Sequence, residues 1–92
     1  MNNLRIQGIS FSGDFLTATF SDGQSVSVPV DFFPRLRKGN DKERAGWALI
    51  GRGIGVHWEG LDEDLSVENI LTAYSRHRGP VYSRAGGTRA KE

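Results

Sequence analysis

Between Phe15 and Val30 apolar and polar side chains alternate on either side of an Asp22-Gly23 pair. Leu16, Ala18 and Phe20 fall on one face, and Thr17 and Thr19 on the other. After the turn, Val26, Val28 and Val30 alternate with Ser25, Ser27 and Pro29. A period of two marks strands buried on one side, and Asp-Gly supplies the positive φ of a hairpin turn. A third strand precedes them, from Leu4 to Phe11, joined through Ser12-Gly13-Asp14. Its phase slips by one residue at Gly8, which predicts a β-bulge. The first third therefore reads as an antiparallel meander. Pro29 cannot donate to a ladder, which places the end of its strand on an edge.

Beyond the meander the signals are shorter. Asp31 to Leu36 is a strand exit with room for one helical turn, and Lys38-Gly39-Asn40-Asp41 is a loop. Asp41 is placed to cap a short helix over Lys42 to Trp47, and Trp47 to Ile50 looks extended. Gly51-Arg52-Gly53-Ile54-Gly55 is a glycine-rich turn. Ile54, Val56 and Trp58 then alternate with Gly55 and His57 in a final strand. Ser66 is a good N-cap, and Val67, Ile70, Leu71 and Tyr74 follow at helical spacing, so a helix is predicted over Val67 to Arg76. The expected fold is α+β: a small antiparallel sheet of three meander strands plus one or two later ones, with one main C-terminal helix packed on it. Residues 1–76 form the domain, and 77–92 a basic, disordered tail. The predicted core is Leu4, Ile6, Leu16, Ala18, Phe20, Val26, Val28, Ile54, Val56, Trp58, Ile70, Leu71 and Tyr74.

A chain of 92 residues makes one domain with a thin core and little room for a deep, dry cavity. The absence of cysteine excludes a disulfide scaffold and a thiolate metal site. Small secreted domains usually need such staples, so a cytoplasmic location is expected. Met1 to Arg5 lacks the layout of a signal peptide, and no apolar run approaches membrane-spanning length. Charge is uneven. Up to Tyr74 seven Lys/Arg stand against ten Asp/Glu, whereas from Ser75 onward five stand against Glu92 alone.

The segment from Leu49 to Val67, with Gly53-Ile54-Gly55-Val56-His57-Trp58 followed by Asp62-Glu63-Asp64, resembles an uncharacterised bacterial family catalogued as domain of unknown function 2442. Phe33-Pro34-Arg35-Leu36 and the strand-Asp22-Gly23-strand opening fit the same pattern, so the resemblance covers roughly residues 4 to 74. The family usually has proline after the tryptophan, where this chain has Glu59. The resemblance implies a small α+β domain from bacterial and phage-borne genes. Such genes often lie beside a second small gene, in a layout like that of toxin–antitoxin pairs. It implies no catalytic residue.

His57, Glu59, Asp62, Glu63 and Asp64 are the densest set of candidate ligands. Their spacing is wrong for a calcium loop and a second histidine is missing nearby, so no metal is expected. The three carboxylates have a structural explanation in the start of the following helix. Successive residues also point in different directions, which disfavours acid–base catalysis. Gly51-x-Gly53-x-Gly55 precedes a strand, so it is no dinucleotide fingerprint, and no cofactor is expected. Trp47 and Trp58 are read first as core.

With no catalytic set in view, the leading expectation is a non-enzymatic protein-binding module. Its partner would be another protein, the product of a neighbouring gene, and a homodimer stays open. The expected contact surface is Arg52, His57, Trp58 and Glu59, continuing into Asp62, Glu63 and Asp64. Trp58 belongs to it only if it is exposed, since tryptophan serves both cores and binding hot spots. The alternative is nucleic-acid binding through Arg35, Arg37, Lys38, Lys42 and Arg44 with the basic tail. Aromatics are not interleaved with these residues as a stacking platform requires.

Overall fold

The structure, a computed structural model, describes residues 4–78. β1 (Ile6–Ser12), β2 (Phe15–Phe20) and β3 (Ser25–Pro29) form an antiparallel meander with β2 in the centre. The ladder shifts register between Ile6 and Gly8, the bulge predicted from the phase slip. The turns place Gly13 and Gly23 at φ of 59° and 90°, where a side chain would be strained. Two short helices follow, α1 (Pro34–Lys38) and α2 (Asp41–Ala45). The cap of α2 is Asn40 rather than Asp41. Its side chain accepts from the Glu43 N–H at 2.8 Å, and the Glu43 carboxylate accepts from the Asn40 N–H at 3.0 Å, which is a capping box.

β4 (Trp47–Ile50), β5 (Gly55–Trp58) and β6 (Glu63–Ser66) form a second antiparallel sheet with β5 central. The later strands therefore make a sheet of their own rather than extending the first, and one of them is unforeseen. Asp62, Glu63 and Asp64 are not helix-start carboxylates: Glu63 and Asp64 lie in β6, paired with Trp58 and His57. The acid in the first helical turn is Glu68. The helix α3 (Val67–Arg78) is capped by Ser66, whose hydroxyl accepts from the Asn69 N–H at 2.9 Å. His77, expected to start the tail, lies in α3 and stands edge-on to Phe15 and Phe32, with ring centroids 6.0 and 6.5 Å apart. The rest of the expected tail lies outside the described residues.

Both sheets and α3 contribute to one core. Ile6, Leu16, Ala18, Phe20, Val28, Val56, Trp58 and Ile70 are buried as the spacing predicts. Leu4, Val26, Leu71 and Tyr74 are partly buried against that core. Ile9, Val30, Phe33, Leu36, Leu65 and Ala73 complete it. Ile54 does not belong to it, being 48% exposed. It takes helical φ and ψ of −69° and −18° at the end of a 3₁₀ turn, Gly51–Gly53. The strand alternation that should turn it inward starts one residue later, at Gly55. The two sheets meet where Gly53, at φ of 98°, lies against the backbone of Ile6. A Cβ there would come within 3.0 Å of the Ile6 nitrogen.

Candidate functional site

Parity along β5 decides which side chains reach the surface. Val56 and Trp58 turn inward and are fully buried, and His57 turns outward. Trp58 is thus a core residue and drops out of the expected contact surface. Its ring meets Phe11 edge-on at 6.3 Å, and its indole N–H donates to the Arg44 carbonyl at 2.9 Å. Directly paired residues share a face of a sheet. The register therefore sets Ala48 and Asp64 beside His57, and Ile50 and Ser66 beside Gly55. The outer face of the second sheet is made of these six residues.

His57 is held between two carboxylates. Its Nδ1 contacts Asp64 Oδ1 across the strand pair, and its Nε2 lies 3.6 Å from Glu59 Oε1. The hydrogen bond that the ring donates to Asp64 pulls the His57 pKa above its usual 6.5, against partial desolvation of the ring, with the Asp64 and Glu59 charges adding to the rise. The ring stays 34% exposed. Because the two carboxylates are occupied with different ring nitrogens, they do not converge. Among the described residues no group of three or more such side chains is disposed to hold a metal ion.

The rest of the expected surface divides. Asp62 sits in the left-handed region at φ of 52° and engages Arg35, which donates to its carbonyl and lies 3.6 Å from its carboxylate. Glu63 shares the inward face of β6 with Leu65 and is half-buried. Arg52, at φ of 61°, is exposed in the turn at the opposite end of β5 from His57. The structure thus assembles His57, Glu59 and Asp64, and separates Arg52 and Asp62 from them.

Three of the five basic residues around the middle loop have internal partners. Arg35 takes Asp62, and Arg37 pairs with Asp31 at 2.7 Å. Arg44 donates to the carbonyls of Leu36 at 2.9 Å and Arg37 at 3.1 Å, and its guanidinium lies 5.3 Å from the Phe11 ring centroid. Sequence reasoning missed one group altogether: Leu49 and Ile50 on β4, each 40% exposed, with Ile54 next to them in the chain turn. Their apolar character was visible, but not that the strand carrying them lies at an edge.

A family model described as "Protein of unknown function (DUF2442)" matches residues 6–75. A solved structure, a protein of unknown function from Rhodospirillum rubrum ATCC 11170, is similar in fold with a TM-score of 0.67. It shares 23% sequence identity, over 77% of this chain and 88% of that one. No curated protein matches.

Proposed function

The chain belongs to this family of unknown function, and we propose that it is a non-enzymatic protein-binding module whose partner docks on the outer face of the second sheet. One observation carries the reading. An exposed apolar side chain, Ile50, shares that face with a His57–Asp64 pair that the strand register holds together. Apolar area drives association, and a fixed polar pair selects register and partner. Among the described residues no polar or charged residue is fully buried. The desolvated acid or base that catalysis relies on therefore has no counterpart in this surface.

The two-gene setting implied by the family resemblance makes the product of a neighbouring bacterial or phage gene the first partner to test. We place the pairing in the cytoplasm, where a cysteine-free domain needs no disulfide. Among the described residues no helix is long and apolar enough to cross a membrane. The nucleic-acid alternative is the weaker reading, because Arg35, Arg37 and Arg44 already have internal partners.

The test is capture of the neighbouring gene product on immobilised full-length chain. The triple variant His57→Ala, Asp64→Ala, Ile50→Ser, compared in mild alkali where the pair contributes least to stability, should melt near the wild-type temperature and bind at least about tenfold more weakly. Equal binding by the two proteins would reject this face.

A further inference from the structure

We propose that the exposed rings at the end of α3 form a stacking platform for single-stranded nucleic acid, with Arg76 and the basic sequence after it taking the phosphates. Three elements converge there. Phe15 opens β2, Phe32 closes a 3₁₀ turn (Val30–Phe32), and His77 lies in the last turn of α3. The imidazole stands edge-on to both phenyl rings, at 6.0 and 6.5 Å. Phe15 is 39% and Phe32 41% exposed, and His77 is exposed with them. The other exposed large apolar side chains among the described residues, Leu49, Ile50 and Ile54, are aliphatic and belong to the second sheet and its turn. At the end of α3 every exposed large apolar group is an aromatic ring. Flat π faces suit planar bases, whereas a helical partner would need a groove for its aliphatic ridge.

Charge specifies the rest of the ligand. From Ser75 onward Arg76, Arg78, Arg84, Arg89 and Lys91 stand against Glu92 alone, so the platform lies where the basic part of the chain begins. Aromatics absent from the basic middle loop are gathered here. Of the carboxylates next to the rings in sequence, Asp31 is taken by Arg37 at 2.7 Å, which leaves Asp14. A groove of about 540 Å³, lined by Phe32, Asn69, Thr72 and Arg76, adjoins the platform. Asn69 uses its carbonyl on the Ser66 N–H, and its NH₂, the Thr72 hydroxyl and the Arg76 guanidinium are donors for a base edge, sugar or phosphate. Glu68 also lines the groove, eight residues before Arg76 and so about 12 Å away along the helix.

Bases in a duplex keep their faces on one another, so a stacking platform selects single strands. This site uses none of the three arginines that have internal partners, and it does not depend on the outer face of the second sheet.

The probes are fluorescein-labelled oligothymidylate and oligouridylate of about 15 nucleotides, titrated with the full chain and followed by anisotropy; the pair assigns DNA or RNA. Binding should be measurable at about 50 mM salt, fall steeply toward about 200 mM, and be weaker for the matched duplex. Phe15→Ala and Phe32→Ala should each weaken it about fivefold or more at fixed salt with the salt slope unchanged. Arg76→Gln should reduce that slope by about 0.7. Lys38→Gln with Lys42→Gln, in the middle loop, should bind like wild type. In the wild-type chain the His77 ring protons should shift when the oligonucleotide is added, a readout that needs no variant. Absent binding at low salt, equal affinity for the duplex, ring variants that bind like wild type, or unmoved His77 protons would each overturn the inference. The outer-face reading is judged separately, by partner capture with His57→Ala and Asp64→Ala.

Discussion

At His57 the protein converts strand register into charge. Setting Asp64 opposite it raises the pKa of the ring above 6.5, so the folded state binds a proton more tightly than the unfolded chain. The pair's contribution to stability is therefore full below about pH 6.5 and is lost as pH rises through the raised folded value. In Asp64→Asn the His57 titration followed by NMR should move down toward 6.5. Melting temperatures of the two proteins should differ most in the mildly acidic range and converge in alkali. An unmoved titration would mean that Asp64 does not set the charge. Trp58 depends instead on packing and one hydrogen bond. Trp58→Phe strands the Arg44 carbonyl and leaves a void, at a cost of about 1–3 kcal/mol by chemical denaturation. At Gly53 positive φ coincides with contact on Ile6, so Gly53→Ala should cost more than about 2 kcal/mol. Gly13→Ala, with open space around its added methyl, should cost about 1 kcal/mol.

At the scale of elements, α2 matters beyond its five residues. Its capping box holds Arg44, which offers a carbonyl to Trp58 and a guanidinium to Leu36 and Arg37. Asn40→Ala removes the acceptor for the Glu43 N–H and should destabilise the whole domain by about 1 kcal/mol, read by denaturation. Elements with a full period were legible in the sequence. The meander alternates over some fifteen residues, and α3 repeats its apolar positions over two turns, so both emerge in the right place. β6 was hidden because Asp62-Glu63-Asp64 gives no alternation, and Leu65 is the one apolar residue on its inward face. Phe33 and Leu36 reach the core from a one-turn helix too short to show a period. The candidate site was half legible for the same reason. Parity turned His57 outward correctly. Its partnership with Asp64 needs β6, and Arg35 meets Asp62 across 27 positions that no local pattern links.

At the scale of the molecule, two small sheets are joined through one apolar cluster. Phe20 and Leu16 from the first sheet, Val56 and Trp58 from the second, and Ile70 from α3 belong to a single buried set. A sheet's apolar face must be buried against another element, and here the two sheets and α3 share one buried cluster. The domain should therefore unfold as one cooperative unit despite its divided hydrogen bonding. Leu16→Ala, confined to the first sheet, should cost about 2–5 kcal/mol and lower the melting temperature by roughly 8–40 °C. Val56→Ala, confined to the second, removes less volume and should cost about 1–3 kcal/mol. The decisive measurement is hydrogen exchange of both sheets in each variant. If the core is shared, the slowest amides of β2 and β5 lose protection equally whichever sheet carries the substitution, and calorimetry shows one transition. Loss confined to the mutated sheet, or two calorimetric peaks, would mean that the sheets are separate folding units. In that case the second sheet could open without the first, and the outer face proposed to bind a partner would not be preformed.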